Sequence, residues 1–142
     1  MLTTNYVPPE GLPSSNFWMI GEAPGAAEDK LLRPFIGPAG QYLDMGLRDA
    51  GILRSDIFLW NVFTKRPPQN EIQYYFQDEK QTMLTFEGEE MVRGLRKLIC
   101  DHRPNLIVAL GATAVYILTG KRGITKWRGS MLECILCPDV KV

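Results

Sequence analysis

The chain has 142 residues, 45% of them hydrophobic and 23% charged, which fits one soluble globular domain with one core over residues 1–142. No apolar run reaches the roughly 18 residues a membrane span needs, the N-terminal MLTTNYVPPEGLPSSN lacks the basic-then-apolar order of a secretory signal, and three cysteines, an odd count, argue for a reducing, cytoplasmic setting. Sixteen basic and sixteen acidic side chains cancel, so global charge excludes a broadly basic nucleic-acid binder and leaves only local patches to consider.

In chain order, Phe17–Ile20 is a short apolar run ending in GEAPG, which reads as a buried strand entering a tight loop. Leu43, Leu47 and Ala50 share one side of a helix expected from about Ala39 to Ala50, with Gly51 as its stop. Ile57–Phe63 (IFLWNVF) is a second buried strand, closed by Pro67 and Pro68. The polar, weakly periodic stretch from Gln69 to Glu87 reads as an inserted loop. A helix from about Gly88 to Cys100 carries Met91, Leu95, Leu98 and Ile99 as its apolar stripe. Leu106–Leu110 is a third strand, Ala112–Leu118 a helix, and Ser130–Leu136 a fourth strand. Continuously apolar strands alternating with helices predict a three-layer α/β/α sandwich around a mainly parallel four-stranded sheet. In such sheets ligands lie beyond the carboxyl ends of the strands. That rule places Gly21–Asp29, Asn61–Asn70 and the turn at Gly111 together.

These loops carry the residues with chemistry. GEAPGAAED is followed by RPFIGPAG, and glycine with proline at a strand end lets backbone approach a ligand closely. Glu22 can orient or deprotonate a water there. Phe35, between Pro34 and a glycine-containing turn, can offer a flat stacking face. Asn61 can donate to a carbonyl and accept from a ring N–H, a pairing that suits the edge of uracil or thymine. Each has an ordinary reading as turn, core or cap. Their coincidence at one sheet edge favours a shared site. Charge is also unevenly placed: Thr119–Gly129 holds four cations (Lys121, Arg122, Lys126, Arg128) and no acid, whereas Glu71–Glu90 holds six acids and one lysine. A local basic face is enough to neutralise a few phosphates.

The ordered set GEAPG with Glu28 and Asp29, PFIGPAG, Asn61 ahead of RPP and Asn70, LIVALGATA and ITKWRGS resembles the uracil-DNA glycosylases of the iron–sulfur type. The likeness spans about Phe17 to Ser130. RPPQNEIQYYF and ITKWRGS look closer still to the glycosylase-like domain attached to phage-type DNA polymerases. The resemblance implies recognition of a flipped uracil in DNA, single- or double-stranded, and hydrolysis of its N-glycosidic bond in base-excision repair. It implies Glu22 and Asn61 as catalytic, with Glu22 placing the water. Gly21, Ala23, Pro24, Gly25, Glu28, Phe35 and Asn61 would border the base. Lys65, Arg66, Asn70, Lys126, Arg128 and Gly129 would follow the DNA backbone. A monomer, phage-encoded and partnered by a DNA polymerase, fits the second likeness, and so does a non-catalytic nucleic-acid-binding module. An unrelated nucleotide-binding domain is disfavoured, because no G-x-x-x-x-G-K-[ST] phosphate loop is present.

Two departures stand out. The family's cluster cysteines are absent from residues 1–16, and Lys65 stands where one is expected before RPP. Cys134-Ile-Leu-Cys137 has the spacing of a metal knuckle but lies in an apolar run with only Cys100 and His102 as conceivable partners. It is read as core, so neither metal nor cofactor is expected. In the family the strand after the RGS segment leads to a His-Pro motif; here MLECILCPDVKV reaches that place and ends, so a domain lacking its C-terminal portion is expected, and His102 does not match the motif.

Overall fold

Side chains alternate across a strand, so a strand apolar at every position must bury both faces. In the computed structural model, which describes residues 3–142, this holds for three strands. Residues 1 and 2, where the N-terminal lead and the expected single-domain span begin, lie outside the described residues. β1 (Phe17–Gly21), β2 (Phe58–Asn61) and β3 (Leu106–Ala109) form one parallel sheet in the order β2-β1-β3. Trp18, Ile20, Phe58 and Ile107 join the larger apolar cluster on one face. Met19, Leu59 and Val108 join a smaller one on the other.

Helices cover both faces. On the larger cluster lie Val92, Leu95 and Ile99 of α3 (Phe86–His102) with Ala114, Ile117 and Leu118 of α4 (Ala112–Thr119). On the smaller lie Leu43 and Leu47 of α2 (Pro38–Ala50). The expected stripe on α2 is only partly realised, since Ala50 is exposed. Gly37 caps the start of α2 with Pro38 in its first turn, and Gly51 ends it at φ 70° with its N–H turned back to Leu47 and Arg48 carbonyls. α3 begins two residues earlier than its apolar stripe suggests, because the Thr85 hydroxyl caps it by accepting from Gly88 N–H at 3.1 Å.

Two further helices were not read from the sequence. α1 (Ala26–Leu31) follows Gly25 inside what reads as a loop, and α5 (Ile124–Trp127) is a single turn after Gly123. Of the stretch 69–87, only Phe86 and Glu87 join a helix, as the start of α3; the rest forms neither α-helix nor sheet strand but is well packed. It makes 3₁₀ turns at Pro68–Asn70 and Ile72–Tyr75 and an antiparallel bridge between Phe76 and Leu84. Tyr75 stacks on Phe63 with ring centroids 4.2 Å apart and donates its hydroxyl to Lys65 O at 2.5 Å. Aromatic burial, which needs no helical period, holds this insert down.

The expected fourth strand is corrected. Ser130–Leu136 does not join the sheet, which has three strands among the described residues. Instead the segment folds back on itself. Leu132 and Val142 exchange both backbone hydrogen bonds (2.7 and 2.8 Å), and Cys134 N–H donates to Val140 O at 2.9 Å. Pro138 and Asp139, the latter at φ 73°, make the reversal. The burial pattern agrees: Cys134 and Leu136 are buried while Glu133 and Ile135 are exposed, the period of a one-sided hairpin. A single bond from Ile107 N–H to Lys141 O (2.9 Å) ties this arm to β3.

Two helical glycines should respond oppositely to alanine. A Cβ on Gly94 meets nothing within 4 Å, so Gly94→Ala should stabilise the fold by roughly 0.5–1 kcal/mol through helix propensity. A Cβ on Gly40 would lie 1.9 Å from Phe35 O, and Gly40→Ala should destabilise by about 1–3 kcal/mol despite the same propensity gain. Urea unfolding reads both. Stabilisation by both would contradict the close approach of α2 to the Phe35 backbone.

Candidate functional site

Parallel strands end together, so groups just past their carboxyl ends share one edge. Gly21 pairs with Asn61 across β1 and β2, and Val62 N–H and Phe63 N–H continue the ladder to Gly21 O and Glu22 O at 2.9 and 3.0 Å. On the other side Leu110 N–H donates to Ile20 O at 2.8 Å, bringing Gly111 and the start of α4 alongside. A cleft of about 750 Å³ opens here, a volume typical of small-molecule sites. Its mouth is lined by Gly21, Glu22, Ala23, Gly25, Glu28, Phe35, Asn61 and Gly111, and it continues along an apolar wall that includes Met19, Leu43, Leu47 and Leu110. Residues from all three loops expected at this edge therefore meet.

Gly21 gives the tightest measure of that convergence. A Cβ there would lie 2.4 Å from Phe35 Cζ and 2.7 Å from Asn61 Oδ1. Ring and carboxamide thus approach one point to within about a methyl group. Asn61 is only 4% exposed, yet among the described residues no protein group hydrogen-bonds its carboxamide. No buried side-chain polar atom among the described residues lacks a partner, so the unbonded atoms of this carboxamide open into the cleft, where they remain for whatever enters.

Glu22 is half-buried, and its Oε2 accepts from Thr113 Oγ1 at 2.6 Å. Thr113 sits in the first turn of α4 and is itself buried. That hydroxyl was not singled out in the sequence. Its only signal there is its place two residues past Gly111, at the edge where the loops were expected to meet.

Glu28 lines the cleft, but its oxygens are occupied. Oε1 accepts from Gly25 N–H at 3.0 Å, and Oε2 accepts from Ile36 N–H and Gly37 N–H at 2.9 and 2.6 Å. It is a strut between two loops. Phe35, in the second of them, has φ 53°, a left-handed backbone that costs a residue other than glycine roughly 1–3 kcal/mol. Strain of that size persists only where surrounding contacts over-determine it, and Arg54, absent from the sequence-based site, makes some of those contacts. Pro24 is buried and does not line the cleft.

The residues expected along a DNA backbone do not line the cleft. Arg66 Nε donates to Asn70 Oδ1 at 2.7 Å, and Lys65 bridges to Tyr6. Arg128 and Gly129 border a second groove of about 440 Å³ along the open edge of β3. Nearby, Lys121 and Lys126 place their ammonium groups 5.1 and 5.0 Å from the Trp127 ring centre, and Arg122 lies 3.7 Å from that of Tyr116. The basic stretch is thus interleaved with aromatic faces.

The cysteines lie elsewhere. Cys134 and Cys137 are buried in the larger apolar cluster, and Cys100 packs against it. A hydrogen bond with Cys137, then burial, push the Cys100 thiol up from its ordinary value, and burial does the same for Cys134. Among the described residues no group of three His, Cys, Asp or Glu side chains is placed to hold a metal ion.

A sequence model of the Uracil DNA glycosylase superfamily matches residues 8–138. The type-4 uracil-DNA glycosylase of Thermotoga maritima is 39% identical over 132 residues, which is 92% of this chain and 64% of that protein. Those of Pyrobaculum aerophilum and Archaeoglobus fulgidus are 39% and 37% identical over 83% and 81% of this chain, and 57% and 53% of their own lengths. The chain therefore spans less than two thirds of these relatives. With that match running from the segment before β1 to the turn of the C-terminal hairpin, and including every residue of the cleft mouth, the chain belongs to the uracil-DNA glycosylase superfamily.

Proposed function

We propose that the cleft receives a uracil rotated out of a DNA strand, and that the chain is a uracil-DNA glycosylase-like domain of base-excision repair. The observation that carries this reading is the meeting of Phe35 and Asn61 over Gly21, with the Asn61 carboxamide left unpaired. Phe35 offers the stacking face, and Asn61 accepts from the ring N–H and donates to a carbonyl of the base. Glu22, held by Thr113, positions a water and takes its proton as the oxygen bonds to the sugar carbon. The bond from that carbon to the base breaks, and the base leaves with the electron pair.

Negative charge then develops on the base and needs a donor. The chain has one histidine, His102, and it lies at the end of α3 with its ring 6.2 Å from that of Trp18. Since β3 starts just after α3, His102 is at the opposite edge of the sheet from the cleft. Loss of one such donor typically slows a reaction roughly 10²–10³-fold. The residues that meet at the cleft therefore account for recognition of the base, and the second reading, a module that binds DNA without cleaving it, rests on the same recognition without the charge-stabilising donor.

In this reading Lys65, Arg66, Asn70, Lys126, Arg128 and Gly129 follow the phosphates. The folded insert together with the start of α3, with Glu71, Glu79, Glu89 and Glu90 exposed, is the face a polymerase partner would meet. The domain acts as a monomer in a reducing, intracellular compartment where its three thiols stay free. Among the described residues no helix is long and apolar enough to cross a membrane.

The residues of this chain do not fit an iron–sulfur cluster. Four cysteine thiolates hold such a cluster, whereas this chain has three thiols and the structure directs two of them into the apolar core.

Three outcomes are expected. The chain should bind a single-stranded oligonucleotide carrying one deoxyuridine more tightly than its thymidine counterpart, and Asn61→Ala should reduce that preference about tenfold, the effect of losing roughly 1.4 kcal/mol of hydrogen bonding. Equal affinity for both strands in the unmodified chain would defeat the reading. Abasic-site formation, where detectable, should require Glu22 and Asn61; binding with no uracil preference and no cleavage would select the module instead. Finally, incubation with iron and sulfide should leave the visible spectrum without cluster absorption, and stoichiometric iron uptake would contradict the core placement of Cys134 and Cys137.

A further inference from the structure

Arg54 stands in a short 3₁₀ turn (Arg54–Asp56) before β2, away from every motif noted in the sequence. Its side chain is 20% exposed and uses four hydrogen bonds. Nε donates to Glu10 Oε2 at 2.6 Å, Nη1 to Asp44 Oδ1 at 2.8 Å and to Phe35 O at 2.9 Å, and Nη2 to Pro34 O at 2.7 Å. The two carbonyls belong to the peptides on either side of the Phe35 α-carbon.

Glu10 is itself anchored. Its backbone exchanges two hydrogen bonds with Leu59 of β2, at 2.9 and 2.8 Å, and its second carboxylate oxygen accepts from Arg33 at 2.6 Å. Leu59 lies two residues before Asn61 on the same strand. A continuous path therefore runs from the strand that presents the carboxamide, through Glu10 and the guanidinium, to the backbone that presents the ring. Asp44 adds a hold from α2. Burial alone would lower the Arg54 pKa and raise that of Glu10, but the hydrogen bonds and charges of the network reverse both shifts, as expected of ion pairs that persist when partly desolvated.

We propose that Arg54 is a positioning residue for base recognition: it fixes the left-handed backbone of Phe35 so that the ring stands at a set place relative to Asn61. This rests on the reading of the cleft as a uracil site. Glu28 secures the backbone just after Phe35 by accepting from Ile36 and Gly37, and Arg54 secures the carbonyls of Pro34 and Phe35 themselves. A planar guanidinium can serve two carboxylates and two carbonyls together, whereas an ammonium with three donors cannot.

The test compares the unmodified chain with Arg54→Lys, Phe35→Ala and the double variant. Binding is measured to single-stranded oligonucleotides bearing deoxyuridine or thymidine, and thermal unfolding is followed in parallel. Arg54→Lys should remain folded and lose roughly tenfold in uracil preference, within the range seen for coupled neighbouring residues. In the Phe35→Ala background the same substitution should change the preference no further, because its effect runs through the ring. A residue that only stabilised the fold would move the melting temperature without this dependence on Phe35. Should Arg54→Lys not fold, Glu10→Gln loosens the guanidinium from its other side and carries the same expectation. Retention of full preference in the folded variant, or an equal loss with and without Phe35, overturns the proposal alone. No uracil preference in the unmodified chain overturns it together with the function on which it rests.

Discussion

The carboxylate of Glu28 joins the starts of two helices. Gly25 caps α1 and Gly37 caps α2, and both direct backbone N–H groups onto this one side chain, together with Ile36. The first amides of a helix have no partner within it and carry the positive end of its dipole. An acid shared between two such ends satisfies donors that would otherwise be buried unpaired. Hydrogen bonds to a charged group contribute about 1.5–3 kcal/mol each, enough in combination to offset the left-handed conformation of Phe35 that lies between them. The GEAPG loop and the PFIGPAG loop thus have a common anchor, and the mouth of the cleft depends on it. The crowding is tight enough that a Cβ on Gly25 or Gly37 would come within 2.9 or 3.1 Å of the Glu28 oxygens.

How much of this was legible in the sequence follows from the range of each interaction. The three strands and the helices α2, α3 and α4 are apolar in patterns that need only neighbouring residues to read, and the sheet-edge rule then brings Glu22, Phe35 and Asn61 together. α1 was hidden because GEAPGAAED looks like a turn, although Glu28 three residues after Gly25 has the spacing of a capping box. The fourth strand failed for the opposite reason. An apolar run of suitable length was there, but Pro138 and Asp139 return it onto itself before it can pair with β3. Thr113 and Arg54 act on residues 91 and 19–44 positions away, and no local pattern encodes such partners.

The structure also divides its charged surface. The acid-rich insert is drawn onto the core by Tyr75 and Phe76 against Phe63, and its backbone at Gln81 O accepts from Arg122 Nη2 at 2.6 Å. Insert and basic segment are therefore in contact, and the opposite charges lie side by side rather than on distant faces. Attraction between exposed charges is screened over about 10 Å at 0.1 M salt, so each segment keeps its own local sign toward anything that approaches closely. A neutral chain can in this way present a basic edge to phosphates beside an acidic one that turns them away.

Gly21 condenses the geometry of the site. It is a strand residue with an ordinary extended backbone, so no special conformation calls for glycine there. What calls for it is space: the ring of Phe35 and the oxygen of Asn61 occupy the volume on either side of its missing side chain. The same residue pairs with Asn61 in the sheet register, so the carboxamide is aligned by the β1–β2 ladder, while the ring is aligned by a loop that the sheet does not touch through its backbone. A base held between them would be fitted by two different supports, one rigid by virtue of the sheet and one rigid only through the acid and guanidinium that grip the loop. Precision at a binding site is set by its looser support, which here is the Phe35 loop.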